Sequence, residues 1–117
     1  VRRPESTYAL RVRGDSMIDD GIHDGDLVIV ESAVEASDGD TVVALVRGSE
    51  TTLKRLRHAG RMVELLPANS AHAPQRYPAA DVTVQGIVRG LVRRFGNGPP
   101  REGGQRAVDV DSRGAAS

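Results

Sequence analysis

The sequence predicts a mainly β domain of short antiparallel strands joined by hairpins. Residues 8–13 alternate between apolar and polar side chains, which is the period of a half-buried strand. Further apolar runs at 27–31, 40–46 and 61–66 are short and are separated by glycine-containing turns. No convincing helix interrupts them, so the expected architecture is a partly closed β-structure.

The remaining strands follow from turn residues and periodicity. Residues 47–50 have the composition of a hairpin turn, so the chain is expected to return as a strand over 51–57. Residues 40–46 are apolar on both faces, as in a central strand. A final strand pair or one long bent strand is predicted over 82–94, with Gly86 and Gly90 as bulge or bend positions.

Composition changes along the chain indicate its organisation. Residues 1–7 are polar and contain a proline, which predicts a linker or arm, and the folded domain is expected over 8–95. Residues 67–78 hold three prolines and predict an irregular connection. From 96 to 117 aliphatic residues are scarce, so a disordered tail is expected.

Charge and cysteine usage exclude several classes of function. Sixteen basic and sixteen acidic residues cancel, so no overall field attracts nucleic acid or anionic lipid, and we expect no direct nucleic-acid binding by this chain. The absence of cysteine excludes disulfides, thiol catalysis and thiolate metal sites, and fits a reducing cytoplasm. No apolar run is long enough to span a membrane and no signal-peptide pattern opens the chain, so a soluble, cytoplasmic protein is expected.

The candidate chemistry lies in two separate stretches. Ser16 sits in Gly14-Asp15-Ser16-Met17-Ile18, at the end of the first predicted strand, where its hydroxyl could meet a substrate. Taken alone, this five-residue sequence is more typical of an ordinary turn. Lys54 shares a strand face with Thr52 and Leu56, which would suit a buried, neutral base. An exposed lysine on an edge strand is the ordinary alternative.

Taken together and in order, the motifs resemble the LexA/UmuD family of Ser-Lys self-cleaving peptidases. They are Gly-Asp-Ser-Met-Ile at 14–18, Asp-Gly-Asp at 24–26 before an apolar strand, Gly-Asp-Thr-Val-Val-Ala at 39–44 and Leu-Lys-Arg at 53–55. The resemblance covers roughly residues 8–94. It implies the family's β-fold and a serine endopeptidase activity without a cofactor or metal.

The resemblance also implies roles and partners. Ser16 would attack a peptide carbonyl, and Lys54 would take its proton and pass it to the leaving amine. The backbone N–H groups of Asp15 and Ser16 would stabilise the oxyanion. The family further implies a homodimer, stimulation by RecA-type filaments in the SOS response, and a small-residue-Gly bond in a loop of the family's own chain as substrate. That loop and the DNA-binding helices are expected to lie outside this chain, and Ala59-Gly60 is interpreted as a turn.

Other interpretations remain open. A UmuD-like processed protein would act as a polymerase-binding module, although the arm over 1–7 is short for one. A signal-peptidase-like protease shares the Ser-Lys pair, but a proline-containing turn usually follows its serine. His23, His58 and His72 lack the close spacing of a metal site. A Ser-His-Asp triad built from Ser16 and one of these histidines is not excluded by the sequence.

Overall fold

The computed structural model describes residues 6–93 and 108–111, and within them eight strands form one sheet. In chain order these are β1 (Thr7–Arg13), β2 (Leu27–Ser32), β3 (Thr41–Val46), β4 (Glu50–Ala59), β5 (Met62–Leu66), β6 (Gln75–Pro78), β7 (Val82–Val92) and β8 (Val108–Asp111). Short 3₁₀ turns occupy Ile18–Asp20 and Ala79–Asp81. The predicted mainly β fold is confirmed. No helix in this part of the chain has the length and apolarity to span a bilayer.

The sheet closes on itself over six of its strands. Their order is β3-β7-β2-β1-β8-β4, and β3 also pairs with β4, so the ring is complete. β5 and β6 continue the sheet outward from β4. All pairings are antiparallel except those of β8, which runs parallel to both β1 and β4. Closure removes most exposed strand edges and holds the ends of β1 and β4 in place.

β3 is buried on both faces, as its continuous apolar run predicts. The first core cluster contains Leu10, Val12, Met17, Ile22, Val28, Val30, Val43 and Leu53. The second contains Val42, Ala44, Val46, Leu56, Val63, Leu65, Tyr77 and Ile87. Because successive side chains of a strand point to opposite faces, β3 and β4 each contribute to both clusters.

β7 is one long strand, and it bends at the two positions predicted from its glycines. Its register against β3 shifts between Val43 and Ala44, next to Gly86, and its register against β2 shifts between Ile29 and Val30, next to Gly90. Each shift adds one residue to β7, which is the definition of a β-bulge. The bends allow β7 to pair with both neighbours around the ring.

The hairpin after β4 lies later in the chain than predicted. β4 extends through His58 and Ala59, which were expected to form the turn, and the chain reverses at Gly60 with φ of +66°. That positive φ favours glycine, so Gly60 is the residue that fixes the turn.

Residues 75–78, predicted as part of an irregular connection, form the edge strand β6. Tyr77 is buried and pairs with Val63 of β5. The prolines around this short segment mask its strand character, but a proline is compatible with the edge of a sheet, where a missing N–H breaks no ladder.

Residues 108–111 were predicted to lie in a disordered tail, and the structure places them in β8. Their Val-Asp-Val-Asp sequence alternates with the period of a strand, which explains the pairing with Leu10–Arg13 of β1. The rest of the predicted tail and residues 1–5 of the predicted arm lie outside the described residues. Strand β1 begins at Thr7, one residue before the predicted domain start.

Candidate functional site

Ser16 lies in the turn that follows β1, three residues after the strand ends at Arg13. Gly14, the first residue after the strand, has φ of +92°, a conformation that glycine adopts without strain. Its N–H donates to Asp24 Oδ1 at 2.7 Å, which holds the turn. Ser16 is 1% exposed, and Met17 after it is fully buried in the first core cluster. The buried methionine and the tight turn together fix the serine in a definite position.

Lys54 lies near the middle of β4 and is only 2% exposed. As the strand period predicts, it shares a face with Thr52 and Leu56, both of which are buried. Its Nζ donates to Thr52 Oγ1 at 2.8 Å, and Val42 is its cross-strand partner on β3. The amine therefore donates to the Thr52 hydroxyl, with aliphatic side chains beside it. The alternative of an exposed edge lysine is wrong for this residue.

Two arginines follow Lys54 on the opposite face of β4 and pair with carboxylates. Arg55 pairs with Asp20 at 2.6 Å, and Arg57 pairs with Glu64 at 2.6 Å. The Arg55 side chain is partly exposed and that of Arg57 is mostly exposed. Each guanidinium is thus neutralised at the surface by a carboxylate.

Ser16 and Lys54 line one pocket of about 240 Å³, which the segment 67–75 covers. The complete lining is Ser16, Lys54, Pro67, Ala71, His72, Ala73, Pro74 and Gln75. The structure therefore brings together the two residues that the sequence singles out. The pocket is smaller than a typical drug-sized site.

The covering segment is anchored to the residues around Ser16 by three contacts. Asn69 Nδ2 donates to the backbone oxygen of Asp15 at 2.8 Å. His72 Nε2 lies 3.0 Å from Asp15 Oδ1. The N–H of Asp19 donates to the backbone oxygen of Ala68 at 2.6 Å. Sequence reasoning missed Asn69 and treated this segment as a connection, since contacts over such a separation leave no local pattern.

The Asp15–Ser16 peptide group is fixed on its carbonyl side. The N–H of Ile18 donates to the Asp15 oxygen at 3.3 Å, in addition to the Asn69 amide. The oxyanion-binding role predicted for the N–H groups of Asp15 and Ser16 stays a prediction.

The histidines occupy separate places. His58 contacts Asp38 on the outside of the sheet, His72 lies at the pocket with Asp15, and His23 caps the turn before β2 by donating its N–H to Asp26. In the part of the chain that the structure describes, no cluster of three His, Asp or Glu side chains is arranged to hold a metal ion. Of the three histidines, His72 is the one beside Ser16.

Comparisons with known proteins agree on the family. The family model described as Peptidase S24-like matches residues 1–89. A LexA repressor of Zymomonas mobilis subsp. mobilis is 53% identical over 88 residues, which cover 75% of this chain and 41% of that protein. A LexA repressor of Ruegeria sp. (strain TM1040) is 53% identical over 88 residues, covering 75% of this chain and 36% of that protein.

LexA repressor 2 of Pseudomonas syringae pv. tomato is 53% identical over 88 residues, covering 74% of this chain and 43% of that protein. The chain thus spans about two fifths of the length of these relatives. The matched region contains β1 to β7 apart from the last residues of β7, and it includes both Ser16 and Lys54. The chain therefore belongs to the Peptidase S24-like family, as its resemblance to the LexA/UmuD peptidases implies.

Proposed function

We propose that the chain is a serine endopeptidase domain in which Ser16 and Lys54 form the catalytic pair. The observation that carries this proposal is that a serine and a lysine, both almost fully buried, line the same pocket. A lysine is rarely buried without a specific role, because its ammonium form loses its hydration there.

In the proposed reaction, neutral Lys54 accepts the proton of Ser16 Oγ as the oxygen bonds to the carbonyl carbon of a peptide. The carbonyl π electrons move to the oxygen, which the N–H groups of Asp15 and Ser16 stabilise. Lys54 then donates the proton to the leaving nitrogen as the C–N bond breaks. Water hydrolyses the acyl-enzyme, with Lys54 again acting as base and then acid.

The surroundings of Lys54 support the role of a base. Burial disfavours the charged form of an amine and lowers its pKa from the usual value of about 10.4. Val42 opposite and Leu56 on the same strand face supply apolar surroundings. The hydrogen bond to Thr52 Oγ1 holds the amine nitrogen in place and uses one of its N–H groups, which leaves the lone pair of the neutral amine for another partner.

The pocket supports a substrate with small side chains. Ala71 and Ala73, whose side chains are small, form part of its lining. We propose that the substrate is the small-residue-Gly bond of a loop of the family's own chain. We further propose that this domain is the catalytic and dimerisation part of a LexA-like SOS repressor that self-cleaves when RecA filaments stimulate it.

The test is cleavage in trans of a peptide that carries an Ala-Gly bond. Ser16→Ala and Lys54→Ala are each expected to lower the rate about a thousandfold or more, as losses of a nucleophile or its base do. Lys54→Met should behave like Lys54→Ala while preserving the aliphatic packing. Ser49→Ala, on an exposed hairpin, makes the same chemical change as Ser16→Ala away from the pocket and should cleave like the parent.

His72→Gln separates this pair from a Ser-His-Asp triad. The variant should retain measurable cleavage if Lys54 is the base. The proposed pair would be refuted by cleavage that survives Lys54→Met, or by a loss in His72→Gln as deep as the loss in Ser16→Ala.

A further inference from the structure

Asn69 makes a hydrogen bond to the peptide group that precedes Ser16, the proposed nucleophile. Its side chain is part of the segment that covers the pocket, and the residue is 9% exposed. Its Nδ2 donates to the backbone oxygen of Asp15 at 2.8 Å, across a separation of 54 residues in the chain. The acceptor is the carbonyl of the peptide group that joins Asp15 to Ser16.

The orientation of the Asn69 amide is fixed by its other contact. Oδ1 accepts the N–H of Ala71 at 2.8 Å, so this end must be the oxygen. The opposite orientation would place two oxygens together at Asp15 and two donors together at Ala71. Nδ2 is therefore the atom that faces the Asp15 carbonyl.

A planar trans peptide links the Asp15 carbonyl to the Ser16 N–H. The two groups lie in one plane and point in opposite directions, because the C–N bond does not rotate freely. The N–H of Ile18 also donates to the Asp15 oxygen at 3.3 Å, but this bond is long and belongs to the turn itself. The Asn69 bond therefore contributes most to fixing the plane, and with it the direction of the Ser16 N–H.

We propose that Asn69 is a positioning residue, which acts through the Asp15–Ser16 peptide to aim the Ser16 N–H at the developing oxyanion. The inference deepens the proposed peptidase function and rests on it. A donor stabilises an oxyanion best when it is already oriented, since no energy is then spent on turning it during the reaction. Asn69 supplies this orientation without touching the substrate.

The segment that carries Asn69 is itself held in place. The N–H of His72 donates to the Asn69 backbone oxygen at 3.0 Å, and Ala68 accepts the N–H of Asp19 at 2.6 Å. The first bond shapes the segment internally, and the second ties it to a residue that follows Ser16 in the chain. A rigid support is needed if a side chain is to hold a peptide plane.

The first test is Asn69→Asp, a nearly isosteric change. The carboxylate can still accept the Ala71 N–H, but it presents an oxygen instead of a donor to the Asp15 carbonyl. We expect kcat for the Ala-Gly peptide to fall about 10- to 100-fold, with KM unchanged, because only the transition state uses the oxyanion donor. Ser70→Ala, at the exposed neighbouring position, is the control and should keep the parent's kcat.

A second variant separates the lost donor from the added charge. Asn69→Ser keeps a short acceptor for the Ala71 N–H but is too short to reach Asp15. It should lower kcat like Asn69→Asp, measured on the plateau of the pH profile. If either folded variant retains kcat within about twofold of the parent, the proposal is wrong.

A measurement independent of catalysis completes the test. The residual dipolar coupling of the Ser16 amide reports the direction of its N–H bond, and it should change in both Asn69 variants while the coupling of Lys54 stays the same. An unchanged Ser16 coupling overturns the positioning role. If the parent chain cleaves no peptide, the proposed peptidase function fails, and the coupling alone then decides whether Asn69 orients this peptide group.

Discussion

At the scale of single residues, the burial of Lys54 is the feature that most constrains the chemistry. A charged ammonium in aliphatic surroundings would have to replace its hydration with hydrogen bonds, and the Thr52 hydroxyl supplies one of them at 2.8 Å. The neutral amine suits the same place, because it still donates to Thr52 and keeps a lone pair. This environment therefore favours the form that a general base requires.

The pH dependence of cleavage tests whether Lys54 acts in its neutral form. We expect kcat/KM for the Ala-Gly peptide to rise with pH as the Lys54 amine deprotonates, and to level off once it is neutral. A profile that shows no rise at any pH at which the protein stays folded would contradict a lysine base. A rise whose midpoint moves in His72→Gln would instead indicate His72, the histidine that lines the pocket. His72→Gln is the control, since it should leave the midpoint of a lysine-driven rise in place.

The sequence could indicate the two reacting groups but not their supports. Ser16 and Lys54 stand in motifs with a recognisable order, and the strand period correctly places Thr52 on the face of Lys54. Asn69 and His72 reach the site only through the fold, since each contacts a residue more than fifty positions away. Periodicity describes neighbours along a strand, so it cannot predict contacts between residues so far apart in the sequence.

At the scale of elements, the glycines of β7 show how one strand can pair with both β2 and β3. A Cβ added at Gly86 would overlap Val30 Cγ1 and lie 3.0 Å from the backbone oxygen of Glu31. At Gly90 the nearest atoms are those of Ile29, at 3.6 Å. Both glycines adjoin bulges, but only Gly86 is there because the neighbouring strand comes too close for a side chain.

This difference gives a matched pair of variants. Gly86→Ala should lower the free energy of unfolding by about 1–3 kcal/mol, as overpacking of a core does. Gly90→Ala meets ordinary van der Waals distances and should cost clearly less. Urea unfolding of both variants measures the comparison. Equal losses at the two positions would show that the bulge itself, and not the approach of β2, requires glycine.

The elements that were predicted well are those whose own pattern is strong. β3 is a continuous apolar run and β7 contains two spaced glycines, and both strands were recognised. β6 is four residues long and ends in Pro78, so its strand character depends on pairing with β5. β8 lies in a polar segment and pairs with β1 in parallel, so its partner is far away in sequence. Neither β6 nor β8 can be recognised without its pairing partners in the folded sheet.

At the scale of the whole molecule, Asp26 joins the end of β7 to the turn before β2. Its side chain is 4% exposed and accepts two hydrogen bonds from Arg93, at 2.8 and 2.6 Å. Arg93 also donates to the backbone oxygen of Gly21, and the N–H of His23 donates to Asp26. The pair therefore holds the end of β7 beside the segment that carries Ser16.

Acid should weaken the contact between Asp26 and Arg93 before it affects the apolar core. The Arg93 hydrogen bonds hold the pKa of Asp26 below its ordinary value of 3.8, although burial of the carboxyl opposes them. Because the pKa is lower in the folded state, the stabilisation is fully present above about pH 4, and it is lost as the pH falls through the folded value. Asp26→Asn should therefore lower the urea midpoint near neutral pH and flatten its decline below pH 4. Glu35→Gln, which neutralises an exposed carboxylate, is the control and should leave that decline as steep as in the parent. An equally steep decline in Asp26→Asn would mean that other carboxylates govern acid unfolding, and that the contact with Arg93 contributes little to holding the end of β7 beside the turn before β2.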